Sequence, residues 1–443
     1  MVGGWVRDQL RGEPSKDIDT EIFGLSPEAV DALLEPFDSI GRVGLHFPVW
    51  RLRHRDLDIG YPREGALEYQ SRDPATLETA FRLAARHRDL TVNAIAWDPL
   101  DERLIDPWHG IADIEAGRLR VVDPATFGSD PLRGLRVARL SACLEAEVES
   151  GTSELCRSLD LSGLPIERKT GELRRILVES KKPSKALEFL EEFGLLDTFP
   201  PLAALCGVPQ DPRWHPEGDV FVHTAMVVDV AREIGAGFAP EAAEILQWAA
   251  LTHDLGKPST TTNERDRIRS IGHEAHGARL SRSWLTELRV SHRITAAVEV
   301  LVAHHLAPAQ FIRQGAGPRA YRRLARKLVA GGMTAVELER VARADHLGRT
   351  TDDARAGRFE AGERFLEAAA AAGVAAGVLS DVVTARRLME EGFARGPMLG
   401  RALSRARALQ DERGERDPES IIETLLREFP NRHEGGSPDE RRS

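Results

Sequence analysis

The chain has 443 residues, 42% of them hydrophobic and 29% charged, a balance that suits several folded domains and excludes a disordered or fibrous polymer. Its formal net charge of −10 argues against a protein that coats nucleic acid nonspecifically, since such binding depends on clustered Lys and Arg, but it leaves room for a local basic groove. No apolar run reaches membrane-spanning length, and Cys143, Cys156 and Cys206 have no paired spacing for disulfides or zinc.

The first four residues, Met1 to Gly4, lack the basic and apolar regions of a secretion signal, so a cytoplasmic protein without a membrane partner is expected. Through residue 125 short β-rich runs, Phe47 to Leu52 and Asp56 to Gly60, alternate with helical stretches such as Ser26 to Leu34. This pattern predicts a small α/β domain. Tyr61 to Asp73 mixes Pro, Gly, Glu, Ser and Arg without periodicity and reads as a loop. From Asp130 onward strand signals nearly vanish and apolar residues recur at helical spacing, through Leu132, Leu135, Val137 and Leu140, then Leu173 to Leu177 and Leu187 to Leu196. Breaks rich in Pro and Gly between Phe199 and Pro216, and again at Gly315, Gly317 and Pro318, predict module boundaries. Arg174/Arg175, Lys181/Lys182, Arg319 to Lys327 and Arg401 to Arg407 are candidate RNA-facing stripes or, equally, solvated helix faces.

The most informative stretch is Gly3-Gly4-Trp5-Val6-Arg7-Asp8 followed by Asp17-Ile18-Asp19. On a strand Asp17 and Asp19 point to one face, because side chains alternate with period two. Two carboxylates held that way repel unless a cation lies between them, and Mg²⁺ prefers a few carboxylates plus phosphate oxygens. Such a site can align a 3′-hydroxyl with the α-phosphate of a nucleotide and assist the departure of pyrophosphate. The glycines let backbone N–H groups approach a triphosphate, and Arg7 supplies a charge-assisted clamp.

These residues resemble the signature of the class II tRNA nucleotidyltransferases, the CCA-adding enzymes and poly(A) polymerases. The resemblance implies that Asp17 and Asp19 bind the catalytic metal, that Gly4 and Arg7 contact the nucleotide, and that Asp58 is a third acidic strand residue. Arg88 to Ala94 (RDLTVNA) is similar to the family's second motif, which makes Arg88 and Asp89 ribose-recognising residues and Asn93 structural. Asp106-Pro107, Gly110 and Asp113 resemble the third motif, a turn that shapes a loop. Asp130 to Arg139 (DPLRGLRVAR) resembles the fourth, which implies that Asp130 and Arg133 present hydrogen-bonding edges to the incoming base and that Arg136 and Arg139 assist base or phosphate binding. Asp accepts from an exocyclic amine and Arg donates to ring acceptors, so that pair favours C and A. The plainer alternative makes Asp130 an N-cap and the arginines a solvated face. Ser129 stands where most relatives have Glu. Glu167 to Leu177 resembles the fifth motif, a helix bracing the fourth.

A second constellation comprises His223, His253-Asp254 and Asp345, with His273, His276, His304 and His305 nearby in sequence. Imidazole and carboxylate together suit a divalent transition metal, and the pattern resembles the HD superfamily of metal phosphohydrolases, found behind the polymerase head in bacterial multifunctional CCA proteins. Asp345 is the expected fourth ligand, with His304 or His305 as alternatives.

The expected architecture is α+β: a polymerase-beta-like nucleotidyltransferase α/β head over 1–125, a helical neck for nucleotide selection and RNA binding over 126–205, an HD body over 206–330, a helical RNA-binding tail over 331–430 and a disordered end over 431–443. The expected partners are tRNA, ATP and CTP, with Mg²⁺ at Asp17/Asp19. Three rivals share parts of this pattern: a poly(A) polymerase with the same head, an HD phosphohydrolase whose head only senses nucleotides, and a noncatalytic RNA-binding factor. Nothing in the sequence specifies an oligomeric state.

Overall fold

The computed structural model describes residues 1–15, 18–37, 39–43, 49–52, 57–62, 64, 74–264, 267–414 and 417–432. Asp17, most of the expected loop at 61–73 and all but the first two residues of the expected disordered end lie outside the described residues. Contacts cluster into two units, Met1–Ala203 and Ala204–Ser443.

The first unit opens with helix α1 (Gly4–Leu10), strand β1 (Ile18–Glu21), helix α2 (Pro27–Leu34) and strands β2 (Ser39–Val43), β3 (Val49–Leu52) and β4 (Leu57–Gly60). The four strands form one sheet in the order β1-β4-β3-β2, with β1 parallel to β4 and the other pairs antiparallel. Ser26 caps α2 by accepting from the Ala29 amide, so this helix falls where Ser26 to Leu34 predicts it. Val30, Leu34, Trp50 and Ile59 pack between helix and sheet, and Trp50 Nε1 donates to Asp31 at 2.7 Å. Val2 bridges both Asp19 and Ala96, which ties the start of the chain into β1.

Helix α3 (Pro74–Ala85) leads to a 3₁₀ turn at Thr91–Asn93, then to β5 (Ala96–Asp98), β6 (Arg103–Ile105), α4 (Gly110–Glu115) and β7 (Arg118–Leu119). The turn motif at 106–113 is tightly built. A Cβ on Gly110 would lie 2.1 Å from the Thr91 carbonyl oxygen, so only glycine fits there. Asp106 accepts from the Gly110 and Ile111 amides, and fully buried Asp113 accepts from Thr91, Arg118 and Arg120. The loop-shaping role expected of this motif therefore has a complete hydrogen-bond basis.

The helical part of this unit comprises α5 (Pro124–Phe127), α6 (Arg133–Leu144), β8 (Glu147–Val148), α7 (Ser150–Arg157), α8 (Ile166–Glu179), α9 (Pro183–Glu192) and α10 (Pro200–Ala203). Helix α6 packs on α8 and α9. A Cβ on Gly134 would already stand 3.0 Å from Leu159 Cδ1 and 3.2 Å from Leu195 Cδ1, which brings α6 close to its neighbours.

The second unit runs through α11 (Val220–Ile234), α12 (Pro240–Thr252), α13 (Lys257–Thr260), hairpin β9–β10 (Thr261–Glu264 and Arg267–Ser270), α14 (His273–Glu287), α15 (His292–His304), α16 (Ala307–Gln314), α17 (Pro318–Ala330) and α18 (Ala335–Leu347), followed by further helices to Glu428. The hairpin corrects the all-helical expectation for this region. Its strands carry Thr, Asn, Glu, Arg and Ser with a single apolar residue, Ile268, so they lack the alternation that marks a half-buried strand. Among the described residues no helix is long and apolar enough to cross a membrane.

Candidate functional site

The first candidate site is built on β1, β4 and the glycine turn. Asp19 pairs with Asp58 in the parallel β1–β4 ladder, and residues paired in register share one face of a sheet. Gly3 adopts φ +75°, and a Cβ there would meet Arg88 Nη1 at 2.8 Å and Asp19 Oδ2 at 3.8 Å. The Asp19 carboxylate and the Arg88 guanidinium therefore both lie against the glycine turn. Asp58 is held bidentately by Arg51, at 2.8 and 2.9 Å, and those hydrogen bonds keep its carboxyl below the usual carboxylate range.

Behind this turn runs a continuous polar chain. Arg7 donates from Nη1 to Asn93 Oδ1 at 2.6 Å and from Nε to Asp8 at 2.8 Å. Asn93 Nδ2 donates to Asp89 Oδ1 at 3.0 Å, and Arg136 Nε donates to Asp89 Oδ2 at 2.7 Å. Burial would raise the Asp89 carboxyl, but the Arg136 charge and the hydrogen bonds from Asn93, Arg136 and the Leu90 amide outweigh it and hold the group well below its ordinary range. Arg88 turns the other way, donating to Glu21 Oε1 at 2.7 Å and the Asn93 carbonyl at 3.2 Å. Adjacent Arg88 and Asp89 thus serve two different directions, and Glu21 at the end of β1 is an anchor that sequence reasoning did not single out.

The arginine row of α6 is divided by the fold. Arg133 is only 6% exposed and donates to the backbone carbonyls of Thr126 at 2.7 Å, Phe127 at 3.3 Å and His87. In this conformation its guanidinium clamps the turn before the helix and does not present an edge to solvent. Arg136 joins Asp89, with its side chain about one-third exposed. Arg139 donates to Glu172 of α8 at 2.8 Å, which supplies the brace expected of the fifth motif. Asp130 lies ahead of the helix, accepts from the Leu132 amide at 3.2 Å and from Arg168 at 2.8 Å, and is partly exposed. It caps a turn, not α6 itself, whose N-cap is Leu132. Burial pushes Asp130 up, but the Arg168 hydrogen bond and charge bring it below the ordinary value. Ser129 Oγ donates to the Thr126 carbonyl at 2.7 Å, so it supports the same turn from within.

The second candidate site lies wholly inside the second unit. His223 of α11, His253 and Asp254 at the end of α12, and Asp345 of α18 converge, all buried. His223 Nε2 is 3.2 Å from Asp345 Oδ1, and its Nδ1 is 2.9 Å from Glu217 Oε1. His253 Nε2 is 3.1 Å from Asp254 Oδ2, and Lys257 Nζ is 2.7 Å from the same oxygen. His215, Glu217, His273 and His305 join the cluster. His304, considered as an alternative ligand, is not among the grouped residues, whereas its neighbour His305 is buried within them. Burial pushes His305 down to about 3 and His215 down to about 4, so both imidazoles are neutral donors at pH 7. For Asp254, burial is outweighed by His253 and Lys257, and for Asp345 by Arg349 and His223, leaving both carboxyls ionised.

Neither Asp254 oxygen accepts an aligned hydrogen bond, and His253 Nε2 has no hydrogen-bond partner either. Buried polar atoms without an aligned partner carry a desolvation cost that a cation beside Lys257 and His253 would reduce. Against the effect of burial, Asp254 and Asp345 raise the affinity of His253 for a proton, which a bound ion would displace; imidazole nitrogen and ionised carboxylate are the donor set of a divalent transition ion, and the residues present fit one. A cavity of about 730 Å³ opens onto this cluster. Lys257, Arg269, Arg313, Arg349 and Arg358 contribute to its lining, with Trp214 at its edge 62% exposed.

Two family models match the chain: the poly A polymerase head domain over residues 1–120 and the HD domain over residues 220–350. A multifunctional CCA protein of Methylobacillus flagellatus is 38% identical over 314 residues, covering 69% of this chain and 72% of that protein. Another from Cupriavidus metallidurans is 37% identical over 326 residues, covering 69% and 73%. Among solved structures, a CCA-adding enzyme with CTP superposes with TM-score 0.60 at 18% identity, covering 97% of this chain and 90% of that one. The Thermotoga maritima CCA-adding enzyme complexed with tRNA gives TM-score 0.57 at 16% identity over the same shares. At that identity the likeness is one of fold.

Proposed function

We propose that this chain, which belongs to the multifunctional CCA protein family, completes the 3′ end of tRNA by adding CMP and AMP from CTP and ATP. The observation that carries the reading is the placement of Asp19 against the Gly3 turn, beside Arg88 and in register with Asp58. Asp17, Asp19 and Asp58 are the acidic residues that would hold a magnesium ion, which would supply charge neutralisation to the triphosphate and the departing pyrophosphate.

The remaining work falls to the chain's own side chains. Gly4 and Arg7 form the nucleotide turn, and Asn93 fixes the Arg7 guanidinium in place. Arg88 and Asp89 set the ribose pocket from its two sides. Asp130 and Arg136, the partly exposed members of the fourth motif, are the groups placed to read the base. Arg133 holds the turn that carries Asp130, and Arg139 fixes α6 to α8. The working domain division is the head over 1–125, neck over 126–205, HD body over 206–330 and tail over 331–430, in a cytoplasmic enzyme.

The test is incubation with tRNAs ending before C, after one C and after two, each with CTP and ATP separately, followed by product sequencing. Ordered addition of C, C and A is expected, and runs of A on every substrate would establish a poly(A) polymerase instead. Asp19→Ala should lower incorporation of both nucleotides at least about 1,000-fold, since it removes a charge that acts on the transition state. Undiminished incorporation would leave the head as a sensor.

A second activity is favoured by the second unit. The buried His and Asp set beside a cation-lined cavity suits metal-assisted hydrolysis of a phosphoester. Hydrolysis of a chromogenic phosphodiester that is lost in His223→Ala and kept in Asp19→Ala would assign it to this site.

A further inference from the structure

Deepening the nucleotide-transfer reading, on which it rests, we infer that Glu21 sets the preference of the first unit for ribonucleotides, as a positioning residue that holds the Arg88 guanidinium toward the sugar hydroxyls.

The neighbouring Asp89 is fully engaged within the protein. Its Oδ1 accepts from the Leu90 amide at 2.8 Å and from Asn93 Nδ2 at 3.0 Å, and its Oδ2 lies 2.7 Å from both Arg136 Nε and Arg136 Nη2. An ionised carboxylate has about four lone-pair sites, so none is left for a sugar hydroxyl, and Asp89 is only 5% exposed. Arg88 is placed differently. A Cβ on Gly3, which adopts φ +75°, would meet Arg88 Nη1 at 2.8 Å, so the guanidinium lies directly against the nucleotide turn in space that glycine leaves open. Asn93 serves both arginines of the site: its side chain accepts from Arg7 and its carbonyl from Arg88 Nη1. Of the pair at 88 and 89, Arg88 is therefore the member able to donate to a hydroxyl beside that turn.

Two acceptors on different sides fix the guanidinium. Glu21 Oε1 takes Nη2 at 2.7 Å, and the Asn93 carbonyl takes Nη1 at 3.2 Å. Glu21 ends β1 two residues after Asp19, on the same face of the strand. Its contact with Arg88 is end-on: among the described residues neither Glu21 Oε2 nor Arg88 Nε, both buried, has a hydrogen-bond partner. On the same sheet Arg51 grips Asp58 through Nε and Nη2, one to each oxygen, which is the stronger, bidentate geometry. An ion pair whose only role was stability would gain by closing in that way. The Arg88–Glu21 pair forgoes the second bond, leaves two buried polar atoms unmet and keeps Nη1 against the Gly3 turn. Without the carboxylate the long Arg88 side chain regains its rotamer freedom, and a sugar hydroxyl must order it again on binding.

The test compares CTP with dCTP as substrates for the full chain, on tRNA ending after one C. The parent is expected to prefer CTP. Glu21→Ala should lower the ratio of kcat/KM for CTP over dCTP by about tenfold, the worth of one hydrogen bond to a charged group. The loss should appear as a raised KM for CTP, with kcat and the use of dCTP within about twofold, because the contact is made equally in the bound and transition states. Glu21→Gln keeps the shape and the acceptor but not the charge, and should lower the ratio by about threefold. Glu21→Ala combined with Arg88→Ala should lower it no further than Arg88→Ala alone, since the two act as one unit. An unchanged ratio in Glu21→Gln, or an equal loss for CTP and dCTP, would overturn the inference and leave nucleotide transfer standing. A parent without preference for CTP would do the same, whereas a parent that adds no nucleotide would overturn both readings. Glu21→Gln matches the parent side chain in size, so it decides the matter should Glu21→Ala fail to fold.

Discussion

Asp89 joins three parts of the first unit: the Leu90 amide locally, Asn93 and through it Arg7 on the nucleotide turn, and Arg136 on α6. Its folded-state affinity for a proton is depressed below the unfolded value, so its contribution to stability is present above about pH 4 and is lost as pH falls through the folded value. Asp89→Asn keeps the shape but leaves Arg136 without its counter-charge, and should cost about 2–3 kcal/mol at pH 7. Urea titrations should show that gap constant between pH 7 and 5 and narrowing below pH 4; a gap that grows on acidification would mean that the ion pair is not its source. Asp89 was legible because it stands in a short motif beside Arg88, as Asp254 of the second site stands beside His253, whereas Glu21, which anchors Arg88, carries no such local signal. Which arginine of Arg133, Arg136 and Arg139 faces solvent was not legible. The three-residue repeat puts them on one side of a helix, but the burial of Arg133 depends on the Thr126 and His87 carbonyls brought there by other elements.

At the scale of elements, the second site depends on how closely α14 approaches the loop after Asp254. A Cβ on Gly256 would lie 2.2 Å from the His273 carbonyl oxygen and 2.7 Å from the Gly277 amide nitrogen. Both are backbone atoms, so no side chain can move aside to accommodate an added methyl. Gly256→Ala should therefore push α14 away, carrying His273 off Asp254, and reduce bound Mn²⁺ and phosphodiester hydrolysis by at least about tenfold, the loss typical when ligand positioning is disturbed. Addition of C and A to tRNA by the same variant should stay within about twofold, because the change lies in the second unit and the residues proposed for nucleotide transfer lie in the first. Unchanged metal content would show that α14 contributes nothing to the site. This approach was only half readable. The glycine at 256 follows the His-Asp pair in sequence, whereas His273 arrives after a polar hairpin that gives no periodic signal, and His305 stands at the end of α15, 32 residues further on.

At the scale of the whole molecule, contacts cluster inside Met1–Ala203 and inside Ala204–Ser443, so calorimetry should resolve two unfolding transitions whose response to metal differs. An ion held by the buried histidines and carboxylates would bind the folded second unit and not its unfolded chain, which adds about 4 kcal/mol at a thousandfold saturation. For a unit of that size this corresponds to a shift of roughly 10 °C. At the site proposed in the first unit Asp19 is exposed and an ion would be held chiefly through substrate phosphates, so without nucleotide that unit's transition should move little. Chelation is therefore expected to lower one transition by about 10 °C and leave the other nearly in place, with His223→Ala identifying the sensitive one by removing its response. Equal movement of both transitions would mean either that metal stabilises both units alike or that the two halves unfold as one. Adding CTP and magnesium to the chelated protein should then raise only the transition left in place, since the nucleotide site proposed above lies within Met1–Ala203.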